Sequence, residues 1–310
     1  MKYLKFSNFK YINIRIDLCL TYILKFSRNY IQKLINKKKI FINNFIIKKK
    51  YIIKKYDIIY IKNIYIINKY MWNKNLNILY EDNYILIINK PYNLVVHPIK
   101  NKNIISLLDI LYYKYKYLTI LKKYKIGLIN RLDKDTTGII LIAKNLLTLL
   151  FLQNQFKNHL IKKTYITIVI GIFSSKKNFF IKKNIKKCKN SIKMRLNKFG
   201  KIAITKFKIL KQLKYHTVLK CYPITGRTHQ IRLHLNSINK SILNDKIYKN
   251  NFFKCYKKID KLKLKNIFIK FNRLALHSYS IKFLHPFYKK KIKIKCKLPK
   301  DFIYFINKWK

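Results

Sequence analysis

Apolar positions in the first part of the chain recur at helical spacing before changing to a strand-like pattern. Ile16, Leu18, Cys19, Leu20, Ile23 and Leu24 form an i, i+3/i+4 stripe that starts after Arg15 and ends near Phe26. Ser27 reads as the N-cap of a second helix, Arg28 to Lys38, with Ile31, Leu34 and Ile35 on its apolar face. In the IFINNFIIKKKYIIKKYDIIYI stretch that follows, Asn43-Asn44 suits a tight turn because Asn tolerates positive φ. Two short helices and a small sheet therefore fit residues 13–62, behind a tail at 1–12 and ahead of a linker at 63–75. A fresh strand pattern at Ile78 opens a second domain, 76–310. Its strand-like runs are Tyr84 to Ile88, Gly127 to Asp133, Ile139 to Ala143, Tyr165 to Gly171, Lys201 to Leu210, Tyr215 to Tyr222 and Lys289 to Lys297. Helical stretches fall at Ile105 to Tyr117, Leu146 to Asn158 and His229 to Ser237. Strands outnumber helices without strict alternation, which favours an α+β fold over a doubly wound one.

Composition changes this picture in one respect. Half of the 310 residues are apolar and 15% are aromatic, so a disordered or fibrous chain is excluded. The formal charge of +61 calls for a polyanionic partner, and RNA or DNA is the leading candidate. That charge needs discounting, because Lys, Asn, Ile, Tyr and Phe are in excess while Ala, Gly, Pro and Arg are starved, as in translation from an A/T-rich genome. Arg occurs seven times, at 15, 28, 131, 195, 227, 232 and 273, and Ala only at 143, 203 and 275.

Scarcity makes the remaining distinctive residues informative. Two of the ten acidic residues, Asp133 and Asp135, lie in RLDKDTTG, and all five Gly fall between 127 and 226. A second dense cluster, PITGRTHQIRLHL at 223–235, holds two Arg and two His. The five Cys, at 19, 188, 221, 255 and 296, have no CxxC pair or zinc-like spacing and read as reduced thiols. No apolar run approaches the roughly 18 residues a membrane helix needs, and the N-terminus lacks the layout of a secretory signal. His229 and His234 are five apart, which does not suit a shared helical metal face, and no acid is near them in sequence.

GLINRLDKDTTGIILIAKN, residues 127–145, resembles the catalytic motif of the RluA/RluD-type pseudouridine synthases. Four further segments match in that family's order: INKPYNLVVHP (88–98), KKTYITIVIG (162–171), TGRTHQIRLHL (225–235) and FNRLALHSYSIKFLHP (271–286). RIDLCLTYILKFSRNYIQKLINKKKIFINN resembles the S4 RNA-binding module of the family's ribosomal members. The resemblance, spanning about residues 13–300, implies an S4-like module at 13–62 and a catalytic α+β domain of mixed, largely antiparallel sheet at 76–310. It implies conversion of uridine to pseudouridine without metal or cofactor, a large-subunit ribosomal RNA partner, a monomer, no membrane, and a bacterial-type cytoplasm or an organelle matrix. KPYNLVVHP with Lys134-Asp135-Thr136-Thr137 looks more like the D branch than the C branch, which implies the stem-loop bridging to the small subunit.

Isomerising uridine to its C-glycoside detaches, rotates and rejoins the base with no redox change, so a carboxylate in a closed pocket suffices. Asp133 is the expected catalytic residue, as nucleophile or base, and Asp135 its internal competitor. Two residues apart on an extended strand, Arg131 and Asp133 would share a face. By resemblance, Arg131 enters the RNA where the uridine is flipped out, Tyr165 stacks on the flipped base, and Arg227 pairs with Asp133 to keep it ionised. Three departures stand out: Asn130 replaces the family's His and is expected to serve by hydrogen bonding, and Asn93 and Asn244 replace Gly where left-handed φ is needed. The loop at 99–103 also lacks the family's glycines. The rivals in other classes are a catalytically silent RNA-binding or ribosome-assembly factor and a DNA-binding regulator. Intact Asp133, Arg131, Tyr165 and Arg227 argue against the first, and the missing recognition-helix or zinc module against the second.

Overall fold

The computed structural model describes residues 3–6, 12–24, 28–62, 76–98, 105–115, 118, 127–175, 178–188, 191, 193–248 and 271–309. The Ser27 cap, the linker 63–75, the loop 99–103 and Cys255 lie outside them. The chain divides into two compact units, Met1–Lys74 and Asn75–Lys310.

In the first unit α1 (Ile16–Leu24) and α2 (Arg28–Asn36) accompany a four-stranded antiparallel sheet. Its strands are β1 (Tyr3–Phe6), β2 (Ile40–Ile42), β3 (Phe45–Ile46) and β4 (Ile59–Lys62), in the order β1-β4-β2-β3. Residues expected to belong to a tail thus supply an edge strand. Both helices bury the predicted stripe, with Ile16, Leu20, Ile31 and Leu34 meeting Ile40 and Ile59 of the sheet. Asp17, wholly buried, ties the helices together by accepting from Arg15, Arg28 and Gln32. Asn43 and Asn44 turn at φ 49° and 69°, as a two-residue hairpin with left-handed centres requires.

The second unit is built on a ten-stranded mixed sheet. Its strands are β5 (Asn77–Glu81), β6 (Ile85–Lys90), β7 (Thr137–Ala143), β8 (Lys162–Ile170), β9 (Phe179–Lys187), β10 (Met194–Leu196), β11 (Lys201–Gln212), β12 (His216–Pro223), β13 (Leu276–Leu284) and β14 (Lys291–Lys295). The order is β10-β9-β11-β12-β8-β13-β7-β6-β5, with β14 paired to β13. Every ladder is antiparallel except β13 with β7. At that junction Gly138, φ 109°, lies against the Ser278 backbone, where any Cβ would overlap the carbonyl. Around the sheet lie α3 (Leu107–Lys114), α4 (Leu146–Lys157), α5 (Gln230–Asn236) and α6 (Lys300–Lys308). A capping box, Ser106 with Asp109, starts α3.

One expected strand is absent. From Gly127 to Asp133 the chain pairs with β7 only at its start, where Gly127 O accepts from Ala143 N and Ile129 N donates to Leu141 O, and Asn130 then replaces the backbone rung with its side chain. Asn130 Nδ2 donates to Ile139 O (3.1 Å) and its Oδ1 accepts from Leu141 N (2.8 Å), so residues 131–136 leave the sheet as an irregular loop. β9, β10, β13 and α6 are elements that apolar spacing does not single out.

Candidate active site

The loop 131–136 is pinned from both ends. Asn130 anchors its start, and Lys90, fully buried at the end of β6, reaches under it from the other side. Lys90 Nζ donates to three carbonyls, Pro91 (2.8 Å), Leu94 (2.9 Å) and Lys134 (3.0 Å). Three acceptors match the three hydrogens of an ammonium, while burial pulls its pKa down to about 7. The Lys134 carbonyl is thereby fixed, and with it the backbone next to Asp133.

Asp133 faces a cleft of about 330 Å³ bounded by this loop, by β8 and by the segment 223–232. Its Oδ2 accepts from Arg232 Nη1 at 2.9 Å, with His229 Nε2 at 3.7 Å. Arg232 lies on α5 among buried neighbours, and its other nitrogens hold Asp245 in a fork of two 2.8 Å bonds. Burial alone would raise the Asp245 carboxyl. Arg232, with the amides of Ile247 and Tyr248, outweighs it and holds the pKa below the ordinary value. The same two carboxylates push Arg232 up, so a permanent cation stands beside Asp133.

The partner of Asp133 is therefore Arg232, and the expected pairing with Arg227 is not made. Arg227 sits in the turn before α5, exposed, with its Nε on the Ile202 carbonyl at 3.1 Å. The turn itself is built by Gln230, whose side chain accepts from Thr225 Oγ1 and Arg227 N and donates to Ile204 O. This arrangement directs position 232 inward while position 227 stays at the rim of the same cleft.

Arg131 and Asp133 both line the cleft, though not as neighbours on a strand. Arg131 is exposed and bonds to Thr228 Oγ1, whereas Asp133 turns to Arg232. Tyr165, on β8, is nearly buried, and burial with the Asp133 charge pushes its hydroxyl up to about 12. It is a neutral aromatic wall at any ordinary pH. Asp135 makes no hydrogen bond among the described residues, so the two candidate carboxylates differ clearly in setting.

Although no acid lies near His229 in sequence, the fold brings Asp133 to it. His229 caps α5 at φ 55°, a strained conformation for a side-chain-bearing residue, with Nδ1 on Tyr248 Oη at 2.8 Å. Burial lowers its pKa despite Asp133. His234 lies apart, buried against Thr205 Oγ1 at 3.0 Å, so the two histidines share no ligand. Among the described residues no group of three His, Cys, Asp or Glu is placed to hold a metal, and no helix is long and apolar enough to cross a membrane. Cys19, Cys188, Cys221 and Cys296 are free thiols. Asn93 and Asn244 adopt φ 63° and 56°, the left-handed backbone expected where they stand for Gly.

In this α+β domain a carboxylate paired with a buried arginine stands beside a nearly buried tyrosine in one cleft. The sequence model of the family described as RNA pseudouridylate synthase matches residues 83–237, and the chain belongs to this family of isomerases. It is 35% identical to a ribosomal large subunit pseudouridine synthase D from Blochmanniella floridana, over 94% of this chain and 93% of that one. It is 37% identical to a synthase C from Buchnera aphidicola subsp. Schizaphis graminum, over 96% and 94%. The solved human RNA pseudouridylate synthase domain containing 4 shares the fold at TM-score 0.58 and 23% identity, covering 75% of this chain and 92% of that one.

Proposed function

We propose that this protein converts specific uridines of large-subunit ribosomal RNA to pseudouridine, with Asp133 as the catalytic carboxylate. The observation that carries the reading is the Asp133–Arg232 pair facing a cleft of about 330 Å³ walled by Tyr165, a volume suited to a single flipped nucleotide. The Arg232 guanidinium, bonded at 2.9 Å, orients the Asp133 carboxylate for attack or proton transfer while Tyr165 offers its ring to the uracil. Arg131, exposed at the mouth, occupies the space the base leaves, and Arg227 contacts the RNA backbone at the rim. Relatives carrying D and C names stand at similar identity. The D-type substrate, clustered uridines in the stem-loop that bridges to the small subunit, rests on KPYNLVVHP and Lys134–Thr137.

Residues 13–62 act in this reading as an S4-like RNA-binding module, residues 63–75 as a linker and 76–310 as the catalytic domain. Arg28, Lys33, Lys37, Lys38 and Lys39, on or just beyond α2, supply phosphate contacts with little base reading. The protein works as a monomer in a bacterial-type cytoplasm. The test compares Asp133→Asn with Asp135→Asn on large-subunit RNA, with pseudouridines mapped by sequence position. Asp133→Asn should abolish product while keeping fold and RNA affinity, and Asp135→Asn should be far milder. The reverse ranking would overturn the assignment, and product at uridines outside the bridging stem-loop alone would shift the substrate.

A further inference from the structure

Lys163 is a buried lysine that the chemistry above does not use. It stands two residues from Tyr165 on β8, so both side chains leave the same face of the sheet, and both line the cleft. It is 8% exposed, yet its Nζ donates no hydrogen bond among the described residues and meets no carboxylate there. Its ammonium lies over the Phe156 ring, 4.4 Å from the ring centre. Gly226 stands opposite with ordinary backbone, and a Cβ there would sit 3.6 Å from Nζ, so the missing side chain leaves the ammonium open to the cleft.

The geometry points to Lys163 as the receptor for a phosphodiester group adjoining the flipped uridine. This rests on the uridine reading of the cleft. A buried cation without a counter-charge is costly, and a phosphodiester supplies a full negative charge where a uracil carbonyl supplies only a dipole. Burial is the sole cause of a fall in the Lys163 pKa to about 8, whereas Tyr165 feels Asp133 directly. The ammonium lies beside Gly226, next in sequence to the rim cation Arg227. Bound RNA would neutralise it there, and the sugar and base would extend toward Asp133.

The test is a cycle between protein and RNA. A large-subunit RNA stem-loop on which the wild type forms pseudouridine is made with a methylphosphonate either 5′ or 3′ to the target uridine. Lys163→Met and Lys163→Arg are compared with the wild type under single turnover. Lys163→Met should raise the half-saturating concentration by about 10- to 100-fold, change the saturating rate little, and lower the salt slope by about 0.7–0.9. One of the two methylphosphonates should cost the wild type a similar factor and cost Lys163→Met nothing more, with Lys163→Arg recovering part of the affinity. If both methylphosphonates cost the variant as much as the wild type, Lys163 does not bind phosphate. Should Lys163→Met fail to fold, Gly226→Ala, whose methyl partly covers Nζ, must show the same phosphate-specific loss or the proposal falls. A wild type that makes no pseudouridine on large-subunit RNA would instead overturn the uridine reading itself, and this proposal with it.

Discussion

Replacing Arg232 by Met removes the one cation shared by two carboxylates. Asp245, buried and in a two-bond fork with Arg232, would keep only the amides of Ile247 and Tyr248. Deleting one partner of a buried ion pair costs about 3–5 kcal/mol, so the urea midpoint should fall by one or more molar for a typical slope. Asp133, partly open to solvent, loses a charge-assisted bond of 2.9 Å, a term of about 1.5–3 kcal/mol or roughly 10- to 150-fold in rate. Arg232→Lys keeps a charge, but one ammonium cannot hold the Asp245 fork and reach Asp133 as well, so it should fall between Met and wild type. Arg227→Met supplies the contrast, because its guanidinium bonds a single carbonyl at the surface, and its rate loss at saturating RNA should stay well under tenfold. Urea titration followed by circular dichroism reads the stability, and single-turnover pseudouridine formation at a urea-free temperature where each variant is folded reads the chemistry. If Arg232→Met kept its rate within threefold while Arg227→Met lost a hundredfold, the pairing described for Asp133 would not be the working one.

Deleting residues 1–74 should weaken RNA binding and flatten its dependence on salt by about 0.7–0.9 for each phosphate no longer bound, as measured by titration across salt concentrations. Gly138→Ala should destabilise the second unit by at least about 1–3 kcal/mol from its positive φ, before the overlap with the Ser278 carbonyl is counted, as read by thermal unfolding. His216, His234 and His277 are buried, which pulls their pKa values down to about 3, 4 and 4, below the roughly 6.5 of an unfolded chain. Unfolding below pH 6.5 therefore takes up protons, and stability complete above that pH should be lost toward pH 4 with a slope reaching about 4 kcal/mol per unit; a flat urea midpoint over that window would refute it.

Much of the fold is legible in apolar spacing. The helices at 16–24, 28–36 and 146–157 and most central strands follow their stripes, because amphipathic burial sets both the period and the partner face. Where spacing misleads, a polar group has taken over a backbone task. Residues 127–133 read as a strand, but Asn130 supplies the rungs to β7 and releases the loop that carries Asp133. β9 is obscured by lysines at many outward positions around Ile181 and Ile185. The choice between Arg227 and Arg232 needs the turn built by Gln230 and the left-handed His229, neither of which has a periodic signature. One signal was available: Arg232 stands between Ile231 and Leu233 in a helix buried along most of its length, where an arginine must find a carboxylate.

The excess of lysine sharpens that kind of signal. A chain with 71 Lys and Arg has only ten acids, and those within the described residues are nearly all bonded. Asp17 and Asp57 organise the first unit, Asp82 and Asp109 fix a turn and a cap, Asp301 holds Arg273 in a fork, and Asp133 and Asp245 share Arg232. The arginines follow the same rule, since Arg15, Arg232 and Arg273 each hold a carboxylate in a planar two-bond fork that a lysine could not make, and Arg28 adds a single bond to Asp17. Lysine can replace arginine wherever only charge is needed, so an arginine in this chain points to a place where geometry is needed too, Arg195 excepted, which makes no side-chain bond among the described residues. Arg131 and Arg227 are then the informative pair, because they stand exposed at the mouth of the cleft without a carboxylate of their own. Two guanidinium groups there, in a chain where lysine is the predominant cation, suit a partner whose oxygens accept two bonds from one planar fork, such as a phosphate. Arg131→Lys and Arg227→Lys should accordingly each weaken RNA affinity although the formal charge is unchanged, and equal affinity of both variants with the wild type would mean that their retention is accidental.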